Sequence, residues 1–232
     1  MPRGRDLSAI ARALDAFAER AVPYVVELLS APLAEVRLFA TVLAADAVRP
    51  ALMWPVYNRL FDPDGQVRLV AIDALPRYRD CPGFGDVLKA LRAKAMDESE
   101  PMPSRLSVLE ALSVMRDGAS ATVLCELCGH GNKQLSVPAH RNLVSITGHD
   151  FGNAPGKWKS WLEKNHKRHR IEWLIDGLMQ PEERLRAIAG GELQKLTQVY
   201  YGYVPTGSKR ERERAQRRYR DWWVLDGSKR FK

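Results

Sequence analysis

Three stretches of this chain align without gaps, and that self-similarity restricts the fold more than any other feature. Val36-Arg-Leu-Phe-Ala-Thr-Val-Leu-Ala44 matches Val67-Arg-Leu-Val-Ala-Ile-Asp-Ala-Leu75, and both match Ser104-Arg-Leu-Ser-Val-Leu-Glu-Ala-Leu112, at offsets of 31 and 37 residues. Each copy carries an Arg second, a small or branched residue fifth, and apolar residues eighth or ninth. A looser fourth copy begins at Leu185-Arg186, and Pro32 and Pro63 precede the first two copies at equal distance. Such a period marks supersecondary units that stack, because one short pair of amphipathic helices cannot bury its own apolar stripe.

Periodicity and breaker residues predict helices over Asp6–Glu19, Val22–Ser30, Leu33–Ala47, Ala51–Phe61, Gly65–Tyr78, Gly83–Met96 and Ser104–Met115. Further helices are expected over Ala119–Cys128, Lys133–Thr147, Pro155–Asn165, Arg168–Met179, Pro181–Gln198 and Lys209–Leu225. Breaks such as Asp62-Pro-Asp-Gly65 and Gly129-His-Gly131 separate them. Residues 199–204 have strand-like composition but are too isolated to make a sheet.

A first helix, a turn with Pro or Asp, and a second helix opening on Val-Arg resembles the HEAT-repeat family over roughly residues 20–198. That resemblance implies an all-α fold: a right-handed solenoid of about five HEAT-like helix pairs with extra C-terminal capping helices. It carries information on fold and very little on function.

A second repeat occupies the C-terminal part. Asn142-Leu-Val-Ser-Ile-Thr-Gly-His-Asp-Phe-Gly-Asn-Ala-Pro155 aligns with Glu192-Leu-Gln-Lys-Leu-Thr-Gln-Val-Tyr-Tyr-Gly-Tyr-Val-Pro205 at an offset of 50. Trp158-Lys-Ser-Trp161 follows the first copy, and Tyr219-Arg-Asp-Trp222 follows the second after a charged insertion. Gly152 and Gly202 would supply a permissive backbone at a turn, Phe151 and Tyr201 would tuck beneath it, and Pro155 and Pro205 would restart the chain. Aromatics three apart share one face of the next helix. The pattern resembles modules of some bacterial HEAT-repeat proteins, with no established chemistry. Packing, rather than ligand stacking, is the expected job of these tryptophans.

The formal charge of +8 is unevenly spread. Residues 1–150 hold 17 Lys and Arg against 18 Asp and Glu, whereas residues 151–232 hold 19 against 10. The chain is therefore read as near-neutral repeats over 1–150 and a basic module over 151–232, within one continuous solenoid. No apolar run approaches the roughly 20 residues of a membrane-spanning helix, and the opening residues do not read as a secretory signal, so a cytoplasmic protein without membrane insertion is expected. Cys81, Cys125 and Cys128 are too few for a disulfide framework. Cys125-Glu-Leu-Cys128 has C-x-x-C spacing but no second ligand pair, so structural thiols are expected and neither a metal nor a cofactor.

Nothing points to catalysis: Walker A, G-x-G-x-x-G, H-E-x-x-H and G-x-S-x-G patterns are absent. The His-Glu dipeptides of HEAT-type hydroxylases are also missing. A glycosylase-like use of Trp54, Trp158, Trp161 and Asp150 against DNA rests on fold analogy alone. The expected function is a non-catalytic scaffold that meets an acidic protein through its second-helix faces and basic C-terminal helices. Nucleic acid is the alternative partner. The residues expected at the interface are Lys167, Arg168 and Arg170 of a cationic cluster, and Arg210, Arg217, Arg218 and Arg220 of the following basic helix. There, Glu211 with Arg214 and Glu213 with Arg217 are expected to pair along the helix.

Overall fold

The computed structural model describes residues 19–231. The expected helix Asp6–Glu19 lies outside them save for its last residue. Among the described residues the fold is all-α, with no strand; residues 199–204 form an irregular turn. The chain divides into two compact units, Met1–Met115 and Arg116–Lys232. The change in charge at residue 150 therefore falls inside the second unit rather than at its boundary.

The first unit contains α1 (residues 19–29), α2 (Ala34–Ala47), α3 (Pro50–Arg59), α4 (Gly65–Ala74), α5 (Phe84–Met96) and α6 (Met102–Met115). α1 runs on through Arg20 and Ala21, where a break was expected. Helix α4 ends early because Pro76 enters the next turn, and Leu75–Tyr78 tightens into a 3-10 segment. α4 packs on α2 and α6 on α4, while α3 packs against α2, α4 and α5. The fifth residue of each repeat, Ala40, Ala71 or Val108, is fully buried. Small side chains there allow close helix approach.

The repeated Arg has a defined task. Nη1 of Arg37 donates to the carbonyls of Ala31 and Pro32 at 3.0 and 2.8 Å. Nη1 of Arg68 donates to Asp62 and Pro63 at 2.7 and 3.0 Å, and Nη1 of Arg186 to Gln180 and Pro181 at 3.0 and 2.5 Å. In each case the acceptors lie six and five residues back, in the turn that leads into the helix. Arg105 departs from the pattern: its Nε reaches Ala95 O at 3.1 Å, across the longer connection of its repeat.

Arg37 also grips the buried Asp62 carboxylate with Nε and Nη2, both at 2.8 Å, and Arg59 joins at 3.0 Å. Burial alone would raise the Asp62 pKa. The Arg37 hydrogen bonds, the Asp64 amide and the charge of Arg59 outweigh it and hold the carboxyl below the usual range. The next helix starts beside this cluster, with Asp64 capping α4 by accepting from the amides of Gln66 and Val67.

The second unit contains α7 (Ala121–Cys128), α8 (Lys133–Thr147), α9 (Pro155–Asn165), α10 (Arg170–Gly177), α11 (Glu183–Thr197), α12 (Lys209–Trp222), a π-helical turn at Trp223–Gly227 and α13 (Ser228–Arg230). α8 lies on α7, and α10 on α11. Ile171, Leu174 and Ile175 of α10 form the centre of a core closed by Leu193, Tyr219 and Trp222. The last carbonyls of α10 are satisfied by side chains from outside it. Gln216 donates to Ile175 O at 2.8 Å and the Tyr203 hydroxyl to Leu178 O at 2.6 Å.

Within the first unit the buried Tyr78 hydroxyl plays the same part, donating to Ala44 O at 2.5 Å at the end of α2. Ala44 O still accepts from the Val48 amide. Tyr78→Phe should therefore cost only about 1 kcal/mol of stability. Tyr78→Ala, which also opens a cavity, should cost about 3–5 kcal/mol. Urea unfolding of the two variants would measure the difference.

Candidate partner-binding surface

The duplicated turns of the second unit are built alike, and they set where the basic helices lie. Helix α8 ends at Thr147, whose hydroxyl donates to Leu143 O at 2.8 Å and accepts from the His149 amide at 3.1 Å. Helix α11 ends at Thr197, whose hydroxyl donates to Leu193 O at 2.7 Å and accepts from the Val199 amide at 3.2 Å. Gly152 and Gly202 both take left-handed backbone, with φ of 59° and 72°, which a Cβ would strain. Phe151 meets Trp158 edge-on at 4.9 Å, and Tyr201 meets Tyr219 edge-on at 4.9 Å. The indole Nε1 of Trp158 donates to Gly152 O at 2.8 Å, and the Tyr219 hydroxyl to Val199 O at 3.0 Å. Each following helix is thus hung on the turn by an aromatic that reaches back to it.

These tryptophans pack. Trp158 is fully buried, and Trp173 and Trp222 are also buried. Asp150 is engaged by His140 at 2.7 Å, by Arg184 at 2.8 Å and by the Gly152 amide. Burial would raise its pKa, but these three partners together hold the carboxyl below its ordinary value. A buried Trp158 and a consumed Asp150 are unsuited to meeting a nucleotide, as the glycosylase analogy required. The thiols of Cys125 and Cys128 face the carbonyls of Pro155 and Gly152 at 3.5 and 3.6 Å, and burial pushes both pKa values up. They are held as protonated packing groups. Among the described residues, no group of three His, Cys, Asp or Glu could hold a metal ion.

The seven expected interface cations separate into two sets. Arg170 is buried, and its expected contact with a partner is corrected by its position. Its Nε donates to Ile146 O at 2.9 Å and its Nη2 meets Glu192 at 2.8 Å, so it joins the end of α8 to α11. Arg168 pairs with Asp176 at 2.7 Å and Glu172 at 3.5 Å. Arg220 reaches the other oxygen of Asp176 at 3.1 Å. Of these three, Arg170 is tied into the core, whereas Arg168 and Arg220 are partly exposed and engaged by acids of α10.

Lys167, Arg210, Arg217 and Arg218 are exposed and make no ion pair among the described residues. The pairs expected along α12 do not form. Glu211 closes a capping box with Ser208, accepting from its amide at 2.8 Å, and Glu213 lies 3.9 Å from Lys209. Arg214 is left exposed as well, a residue the i,i+3 rule had assigned to Glu211. Ala215, Gln216, Tyr219 and Trp222 form the buried face. Arg210, Arg214 and Arg217, spaced i, i+4 and i+7, make a stripe on the opposite face, interrupted only by Asp221 near its end.

A shallow groove accompanies each module. One of about 390 Å³ is lined by Phe151, Lys157, Trp161 and Lys164 among others, and one of about 330 Å³ by Tyr201, Arg214 and Arg218 among others. Both combine the turn aromatic with two cations. In the first unit, by contrast, the outward positions of α2, α4 and α6 include Glu35, Asp73 and Glu110, so the second-helix faces there do not suit the acidic partner expected of them. No protein-family model matches the chain, and no curated protein matches it in sequence.

The cap of α10 ties this surface to pH. The His169 ring accepts the Ile171 amide at its Nδ1, at 3.2 Å, and stacks on Trp223 at 5.0 Å. Burial lowers its pKa, and protonation would remove the acceptor. The associated stability is present above the unfolded value of roughly 6.5 and is lost as pH falls through the lowered folded value. His169→Asn keeps a good cap without a titrating group. Its melting temperature should fall less than the wild type's between about pH 7 and pH 5, as thermal melts across that range would measure.

Proposed function

We propose that the chain is a non-catalytic, HEAT-type solenoid scaffold that binds an acidic protein through α12. The observation that carries this reading is the exposed stripe of Arg210, Arg214 and Arg217, which makes no ion pair among the described residues while Glu211 and Glu213 lie with Ser208 and Lys209 at the start of the helix. Arg218 and the Tyr201 groove extend the surface sideways. Exposed guanidinium groups suit carboxylate-rich surfaces, because their planar forks bind carboxylates in pairs. The repeated turn clamps and the alternate stacking of helices in the first unit support the solenoid reading.

The triple variant Arg210→Glu, Arg214→Glu, Arg217→Glu should leave circular dichroism and the melting curve nearly unchanged, since none of the three makes an ion pair among the described residues. Affinity capture from the native cell, with nuclease present, should retain a stoichiometric acidic protein on the wild type and lose it on the variant. Equal retention by the variant would move the interface elsewhere.

The pairing of turn aromatics with cations favours a second reading, in which the grooves take single-stranded nucleic acid by stacking and phosphate contact. That reading requires affinity to fall by orders of magnitude between about 50 and 200 mM salt. Recovery of nucleic acid alone, abolished by nuclease, would establish it in place of the first.

A further inference from the structure

The first unit carries a surface of the opposite character. α2, α4 and α6 stack side by side, and their repeats align residue for residue, so equivalent positions form rows across the three helices. The third residue of each repeat is a leucine: Leu38, Leu69 and Leu106. None of these is buried, and Leu69 is 48% exposed. Phe39 is 60% exposed beside this row, and Val42 and Val114 are also exposed. Leu38 and Leu106 are half-buried, so the three leucines in register form the floor of a partly exposed apolar ledge that rises at Leu69 and Phe39.

The rows on either side carry three acids, Glu35 beside Gln66 and Pro103 on one, and Asp73 and Glu110 with Val42 on the other. All three acids are exposed and make no ion pair among the described residues. One turn beyond Asp73, the exposed Arg77 pairs with Asp46 at 2.9 Å.

We infer that this ledge receives a basic amphipathic helix of a partner protein, with Leu38, Leu69 and Leu106 as the apolar floor and Glu35, Asp73 and Glu110 as the rim. Stacked helices lie about 8–10 Å apart. A helix rises about 1.5 Å per residue, so seven residues span about 10 Å. A partner helix running along the row would place apolar residues at i, i+7 and i+14 over successive leucines, with Lys or Arg beside them facing the carboxylates. A second copy of this chain fits poorly. Its exposed basic stripe on α12 has no leucine, and its exposed pair Val224 and Leu225 cannot cover three rungs about 20 Å long.

The probe is a fluorescent 21-residue peptide with Leu at heptad spacing and Lys at the flanking positions, titrated with the full chain and read by anisotropy. The Lys peptide should bind, and the same peptide with Glu for Lys should not. Leu69→Lys and Asp73→Lys should each weaken binding at least tenfold; both residues are exposed, so the variants keep the fold. Absence of binding by the Lys peptide, or binding unaffected by both variants, would overturn the inference. So would a dimer, seen by sedimentation and lost in Leu69→Lys, because it would assign the ledge to a second copy.

Discussion

The connections between helices are held by one recurring interaction, an arginine guanidinium on the backbone carbonyls of the turn that precedes its own helix. A helix pair leaves unsatisfied carbonyls wherever the chain reverses, and those groups cannot be buried without donors. Arg37, Arg68 and Arg186 supply donors at the same two upstream positions. Where the arginine is fixed this way, as at Arg37 and Arg68, the residues after it fall in register from one helix to the next. Buried small residues at the fifth position and the outward leucines at the third both follow from that register. Asp62 extends the device by joining one repeat to the next through Arg37.

In the second unit the same need is met differently. A threonine, a left-handed glycine and an aromatic that reaches back from the following helix make a turn that has been used twice. In the second use the reaching helix is longer and heavily charged, yet Tyr219 arrives at the place Trp158 holds in the first. Packing set the requirement, since only one buried aromatic per turn is needed. The rest of the helix was free to become basic.

The two units therefore present opposite chemistry. Cations on α12 are exposed while Glu211 and Glu213 lie at the start of that helix, and carboxylates on α2, α4 and α6 are exposed around Leu69.

Much of this was legible in the residues. Aligned Val-Arg-Leu segments gave the helices and their order, and the Thr, Gly and aromatic of the C-terminal repeat gave its turns, because these depend on local backbone requirements. The clustering of positive charge was equally plain. What the sequence could not decide was which cations were free. Arg170, Arg168 and Arg220 look as available as Arg210 and Arg217 in one dimension, but their partners Glu192 and Asp176 are brought to them by helix packing. Arg214 looks paired to Glu211, but capping geometry takes that carboxylate away. A charge is written in the chain; whether it is spent depends on distances that only tertiary structure sets, since an ion pair weakens with separation and with contact to water.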